Sequence, residues 1–404
     1  MNSILLSKKM ILNILMNHTH HVKITMNMNQ GYLYLRPDIE KNEQKILAPY
    51  AVFAAESEKR EYEEKPDAQR TCFQRDRDRV IHCAAYRRLK GKTQVFVAHH
   101  GDHFRNRLTH TMEVAQLARD LTRNLGGNED LAETIALAHD LGHTPFGHAG
   151  QQAMQELLHR YNLFFEHNQQ SRRIVEKLEN KSPAYPGLNL TDEVRDGMVK
   201  HRKADYQDAH IINTRASLEA QIVDIADQIA YQNHDIDDGL RSGIFTLEEL
   251  EKVDVWREAI AETNAYLPEK EWTSQIISTL IKIMSGNMLY ETSCRLKGLH
   301  PKNTHDIRKA EFPVAAFSAD MEHRTDSLRH FLYSKFYRKP EVVEVSERGM
   351  QIIKRIFFAL HEKPELLPTE FLEMMEQGEQ KEIVIKDFIA GMTDRFAMDF
   401  AESV

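Results

Sequence analysis

From Val114 to Leu125 the apolar residues Val114, Leu117, Ala118, Leu121 and Leu125 recur at intervals of three and four, and Gly126-Gly127 then breaks the pattern. That spacing lines one face of an α-helix and ends it where glycine removes the preference for helix. Asn128 follows as the cap of a second helix, with Glu129 and Asp130 in its first turn and Leu131, Ile135 and Ala138 facing inward. Gly142 and Pro145 in "HDLGHTP" stop this helix. The same period predicts helices around 168–180, 191–201, 215–234, 246–265, 270–291, 321–336, 341–361 and 380–402. "NKSPAYPGLN" and "GLHPKNTHD" read as turns, and only "YLYL" and "EFPVAAF" suggest short strands. The predicted fold class is mainly α, without an internal repeat.

Hydrophobic residues make up 41% and charged residues 28% of the 404, which fits a soluble globular protein. The net charge of −8 argues against a general nucleic-acid coat, although a local basic site remains compatible with it. One stretch reverses the sign: Arg70 to Arg107 holds ten basic residues against three acidic ones. Ion pairs along a solvated helix explain its first half as well as a phosphate site does, while its later residues, close to the first histidine of interest, favour phosphate. Cys72, Cys83 and Cys294 show no CxxC spacing and leave one thiol over in any pairing, so a reducing cytoplasm is expected. The early apolar run "MILNILM" is far too short for a membrane span and no small-residue cleavage site follows it. Residues 1–45 read as a leader of little order, in which His18, His20 and His21 are more simply a solvated tail than a metal site.

The chemistry concentrates in "IALAHDLGHTPFGHAG", which places His139, Asp140, His143 and His148 at a helix end opening into a loop. Successive helical side chains diverge by about 100°, so His139 and Asp140 share one ion only if other helices complete its shell. His110 in "RLTHTMEVAQ" and an aspartate of "QIVDIADQIAYQNHDIDDG" are the candidates to do so. A mixed imidazole and carboxylate set suits Mn, Fe, Co, Ni or Zn as the divalent ion, with Mg also compatible. Such a site polarises phosphoryl oxygens and acidifies water.

The segments "QRDRDRVIHCAAYRRLKGKTQVF", "RNRLTHTMEVAQLAR", "LAHDLGHTPFGHAG", "FEHNQQSRRIVEKLE", "GLNLT" and "SLEAQIVDIADQIAYQNHDIDDGLRSG" run in order from about residue 69 to 243. This series resembles the HD superfamily of metal-dependent phosphohydrolases, and within it the bacterial deoxyguanosine triphosphate triphosphohydrolase-like proteins. The resemblance implies an HD-domain helical fold over residues 46–245, with additional C-terminal helices over 246–404 packed on that core. It implies His110, His139, Asp140 and Asp227 as metal ligands, with Asp224 as the alternative to Asp227. The implied reaction converts a deoxynucleoside triphosphate, dGTP or several dNTPs, to deoxynucleoside and inorganic triphosphate. It needs a proton donor and positive charge along the phosphates. His148 is assigned as general acid, with His143 and His167 positioning phosphate or moving protons. Arg107 is the basic candidate for the triphosphate. Gln94 and Asp235 are candidate contacts to the nucleoside, Asp235 through the sugar 3′-hydroxyl, and Tyr231 would stack under the deoxyribose. Arg329 and Tyr337 are candidates from "DSLRHFLYSKFYRKPEV". A homo-oligomer, dimer or hexamer, and an activating dNTP are further implications.

Two other readings keep part of this evidence. An HD nucleotidase or cyclic-nucleotide phosphodiesterase would share the metal site but release phosphate or a monophosphate. A non-catalytic regulator binding nucleotide or single-stranded nucleic acid would use the local basic charge without turnover.

Overall fold

Asn128 caps the helix Glu129–Ala138 by accepting from Leu131 N, and Asn106 caps Arg107–Asn124 by accepting from Thr109 N. These capped helices nucleate the part of the fold that carries the site. The computed structural model describes residues 33–94, 105–199, 214–263 and 269–404. The helices that matter for the site and its support are α1 (Arg36–Ile46), α2 (Cys72–Ile81), α3 (Arg107–Asn124), α4 (Glu129–Ala138), α5 (Gly147–His159) and α6 (His167–Arg173). They continue with α7 (Leu218–Arg241), α8 (Asp254–Glu262), α9 (Glu269–Leu299), α10 (Ala319–Leu332), α11 (Pro340–Glu362), α12 (Lys381–Ala390) and α13 (Asp394–Ser403). From Arg36 to Val404 the described residues form one compact unit.

The expected mainly α class is observed. Among the described residues no strand forms: 311–317 is irregular, and the described part of "YLYL" has no regular secondary structure. Pro313 lacks an amide proton, and the Val314 and Ala315 amides donate to the Gln221 side chain instead of to a strand. The single helix expected over 380–402 is two, because Gly391 ends α12 and Thr393 caps α13 by accepting from Phe396 N. The helix expected over 246–265 is likewise broken after Leu247–Leu250. The helix near 191–201 is shorter, Asp192–Gly197, and residues 200–201 lie outside the described set. Helix α1 runs through the end of the stretch expected to lack order, and its Glu43 is buried, accepting from Ala54 N and Asn128 Nδ2. The His18, His20 and His21 group lies outside the described residues.

Helix α4 packs on α2, α3 and α7, and α7 also packs on α9. Their apolar faces, with Leu121, Leu131, Ile135, Ile222 and Ile229 all buried, build the larger core. Burying one such side chain contributes roughly 1.5–3 kcal/mol, so this core fixes the ends of α3, α4 and α7 relative to each other. A second apolar cluster joins Met154, Leu157 and Leu158 of α5 to Ile353, Ile356 and Phe357 of α11 and Ile385 of α12. Two helices continue into a π-helical turn, Ile174–Leu178 after α6 and Tyr333–Tyr337 after α10.

Candidate functional site

His110 in the first turn of α3, His139 at the end of α4 and Asp227 in the middle of α7 meet because the larger core packs these three helices together. Ligating atoms of His110, His139 and Asp140 lie within 4.8 Å of one another. Asp227 Oδ1 stands 2.9 Å from His110 Nε2 and 3.6 Å from His139 Nε2, and Asp140 Oδ1 is 3.2 Å from His139 Nε2.

The hydrogen bonds behind these rings decide which nitrogen carries a proton. His139 Nδ1 reaches the carbonyl of Ala136 at 2.5 Å, and a carbonyl only accepts, so Nδ1 bears the hydrogen and Nε2 the lone pair. His234 Nε2 bonds the Glu113 carboxylate, which makes His234 Nδ1 the acceptor for His110 Nδ1 at 3.2 Å. His110 Nε2 is thereby also a lone pair. Both imidazoles thus turn lone pairs towards carboxylate oxygens, and buried His139 Nε2 makes no hydrogen bond. Lone pairs and anionic oxygens facing one another in this way suit a cation between them. Two nitrogens and two oxygens fit a divalent metal ion.

Asp140 is buried, which alone would raise its pKa, yet His139, His143 and Arg107 around it hold the carboxyl well below the usual range. Arg107 is 2% exposed and donates from Nη1 to Asp140 Oδ2 at 2.8 Å, leaving its Nε without a partner. Burial, followed by the Arg107 charge, pushes the His143 imidazole well below the ordinary histidine range and lowers His148 as well. In the free protein both are therefore neutral at neutral pH.

Helix α4 stops at Ala138, so His143 arrives from the following turn rather than from a continued helix. A Cβ at Gly142 would lie 2.2 Å from Ser171 N, so glycine permits the turn to touch α6. The His143 ring stacks on His167 with centroids 4.0 Å apart, and His148 is 6.2 Å from His143. His167 is held by Gln151 Oε1 at 2.8 Å from Nδ1. Phe146, with φ 63°, is left-handed, which costs a non-glycine residue roughly 1–2 kcal/mol. It turns the chain into α5 so that His148 faces the open space.

That space is a cavity of about 1090 Å³. Of the residues singled out in the sequence, Gln94, Arg107, His110, Asp140, His143 and His148 line it, as do His167, Asp227, Tyr231, Asp235, Arg329 and Tyr337. His139 sits behind them. Tyr337 is delivered by the π-helical turn after α10 and donates to Asp235 Oδ2. Burial pushes Asp235 up to about 8 against the effect of that bond, and burial together with Asp235 pushes Tyr337 well above the ordinary tyrosine range. Arg329 lines the cavity but is also paired with Asp326 and, at 3.2 Å, with Glu322 of its own helix. Asp224 does not line the cavity.

Of the two readings left open for the first half of the basic segment, ion pairing is the one observed. Arg70 pairs with Asp67 and Asp78, Arg77 with Asp130 and Glu133, Arg79 with Glu64, and Arg105 with Asp237. Lys92 is buried against backbone carbonyls. Of the basic residues of that segment only Arg107 lines the cavity; Arg70, Arg75, Arg77, Arg79 and Arg105 pair with acidic residues, and Arg87 and Lys92 bond backbone carbonyls. Sequence reasoning missed Glu113 and His234, whose role depends on a contact between α3 and α7, and Asp326, His330, Tyr333 and Glu347, which extend the lining.

Residues 107–232 match the family model of the HD domain, and residues 315–403 match that of the phosphohydrolase-associated domain. The chain is similar to the deoxyguanosinetriphosphate triphosphohydrolase-like protein of Ralstonia nicotianae, with 44% identity over 87% of this chain and 92% of that relative. Proteins with the same description from Geobacter sulfurreducens and Bordetella pertussis are 42% and 43% identical. Each alignment covers 87% of this chain, and 93% and 94% of the respective relative. No helix among the described residues is long and apolar enough to cross a membrane.

Proposed function

The chain belongs to the family of deoxyguanosinetriphosphate triphosphohydrolase-like proteins and is an HD phosphohydrolase, and from that premise we propose that it hydrolyses deoxynucleoside triphosphates to deoxynucleoside and inorganic triphosphate. The observation that carries the reading is the composition of the cavity. His110, Asp140 and Asp227, with His139 behind them, a buried arginine and three neighbouring imidazoles surround it together with a tyrosine and aspartate pair suited to a sugar.

A divalent cation held by His110, His139, Asp140 and Asp227 would supply positive charge at the α-phosphoryl group and acidify the attacking water. Arg107 binds the polyphosphate through guanidinium donors not used by Asp140. His143 and His167 position phosphate oxygens and move protons. The water oxygen bonds to the α-phosphorus, the bond from phosphorus to O5′ breaks, and O5′ leaves with the electron pair and takes a proton from His148. The proton released by the water restores that imidazolium. Burial, followed by the Arg107 charge, keeps His148 neutral before substrate arrives; the anionic polyphosphate offsets that charge, so that the imidazole takes up a proton from solvent as substrate binds. Tyr231 stacks under the deoxyribose and disfavours a 2′-hydroxyl, while Asp235 with Tyr337 receives the 3′-hydroxyl and Gln94 and Arg329 border the nucleotide.

The test is to load the protein with Mg, Mn, Co, Ni, Fe or Zn, supply the four dNTPs singly and mixed, and identify every product. Deoxynucleoside and unbroken triphosphate are expected. Inorganic phosphate or a monophosphate as first product would make it a different HD phosphohydrolase, and tight binding without turnover would make it a regulator. A faster rate in the mixture than in the single incubations would reveal a dNTP activator. Light scattering reads the proposed dimer or hexamer.

A further inference from the structure

Asp394 is 5% exposed and does not line the cavity, yet its carboxylate joins two segments that do. Its Oδ1 accepts from Phe146 N at 2.9 Å, and its Oδ2 accepts from Thr93 N at 2.9 Å and from Thr93 Oγ1. Phe146 is the left-handed residue that opens α5 two positions before His148, and no side chain caps that helix. Thr93 precedes Gln94 and pairs with Asn106 next to Arg107.

The neighbouring lysine makes a parallel tie. Lys92 is 2% exposed, and its Nζ donates to the carbonyls of His143 and Ala390, at 2.5 and 2.7 Å. Helix α11 presses on the same turn at Gly349, where a Cβ would lie 2.8 Å from the Phe146 Cβ. The turn carrying His143 and His148 is therefore held by Lys92, by Asp394 and by the second apolar cluster, whereas the metal ligands are held by α3, α4 and α7. A strained backbone persists only where its surroundings over-determine it.

We propose that Asp394, assisted by Lys92, is a positioning residue for the reaction: it holds the Phe146 turn and the Thr93-Gln94 segment together, and so sets His148 relative to the bound phosphates. This rests on the triphosphohydrolase reading for its kinetic consequence, but the tie itself is independent of that reading.

Two measurements keep them distinguishable. Hydrogen exchange on metal-loaded Asp394→Ala should show lost protection over residues 143–150, with α3, α4 and α7 protected as before and metal stoichiometry retained. Unchanged protection there would overturn the proposal whatever the protein hydrolyses. The kinetic arm is a double-mutant cycle. Asp394→Ala should lower kcat about 100-fold, as expected for a displaced catalytic group, with KM changed much less. In a His148→Ala background the same change should cost less than about 3-fold. Equal losses in both backgrounds would show that Asp394 acts only through general stability and overturn the positioning role. If Asp394→Ala loses the fold, Asp394→Asn takes its place in both measurements, since it keeps one acceptor oxygen; its expected loss is about 10-fold, again absent without His148.

Discussion

Glu113 lies one turn from His110, and its carboxylate fixes the proton positions of two histidines in succession. By holding His234 Nε2–H it makes His234 Nδ1 an acceptor, and so keeps the His110 proton on Nδ1, away from the metal set. Glu113→Gln removes the anion and allows the opposite tautomer of His234. Metal affinity, read by titration calorimetry, should fall about 10–100-fold, the usual cost of losing an outer partner of a metal-ligating histidine. Affinity unchanged within 2-fold would refute the relay. The candidate ligands were legible in the sequence because His139 and Asp140 are adjacent and because the motif series around them is dense. Glu113 was not, since it occupies an ordinary surface-like position of α3 and gains its partner only when α7 docks. For Arg70 to Arg79 the sequence left ion pairs and a phosphate site open, and the choice was not legible because several acidic partners, Glu64, Asp130 and Glu133, sit on other elements.

Helix boundaries followed their chemical signals where those were local, as at Asn106 and Asn128. The break between α12 and α13 also had a signal, a glycine two positions before a capping threonine, but the apolar period runs through it and hides it. What no period encodes is how a turn leans on a helix. At Gly142 an added methyl would meet backbone atoms of α6, 2.2 Å from Ser171 N and 2.3 Å from His167 O. Gly142→Ala should destabilise the fold by roughly 1–3 kcal/mol, seen as a lower Tm, because neither backbone can yield without the other. A Tm within 1 °C of the parent would show that α6 is free to move. Glu43 offers a second test at this scale. Burial raises its carboxyl from the usual 4.5 to about 7, so the native state binds the extra proton between those values. Its contribution to stability is full below pH 4.5 and is lost as pH rises towards 7, on the order of 3 kcal/mol in all. In Glu43→Gln the part of the Tm decline due to this group should vanish over that window. Parallel Tm curves for parent and variant would refute it.

Across the whole molecule the two apolar clusters leave little of the architecture to a bound ion. Chelation is therefore expected to abolish turnover while the far-ultraviolet circular dichroism is retained and a cooperative thermal transition persists; loss of the helical signal on chelation would instead mark a structural metal. The mainly α class was readable because helical periodicity is repeated over most of the chain. The arrangement around the cavity was not, because Lys92 and Asp394 meet elements about 300 positions away in sequence. Two parts of the cavity lining follow different rules. Helices α3 and α7 and the residues after α4 supply the candidate metal ligands, whereas α10, the turn after it and α11 add His330, Tyr333, Ser346 and Met350. Under the proposed function, a protein engineer would accordingly vary the lining positions of α10 as a replaceable reading head for the nucleobase and leave α11 as it is, because its Gly349 rests on Phe146.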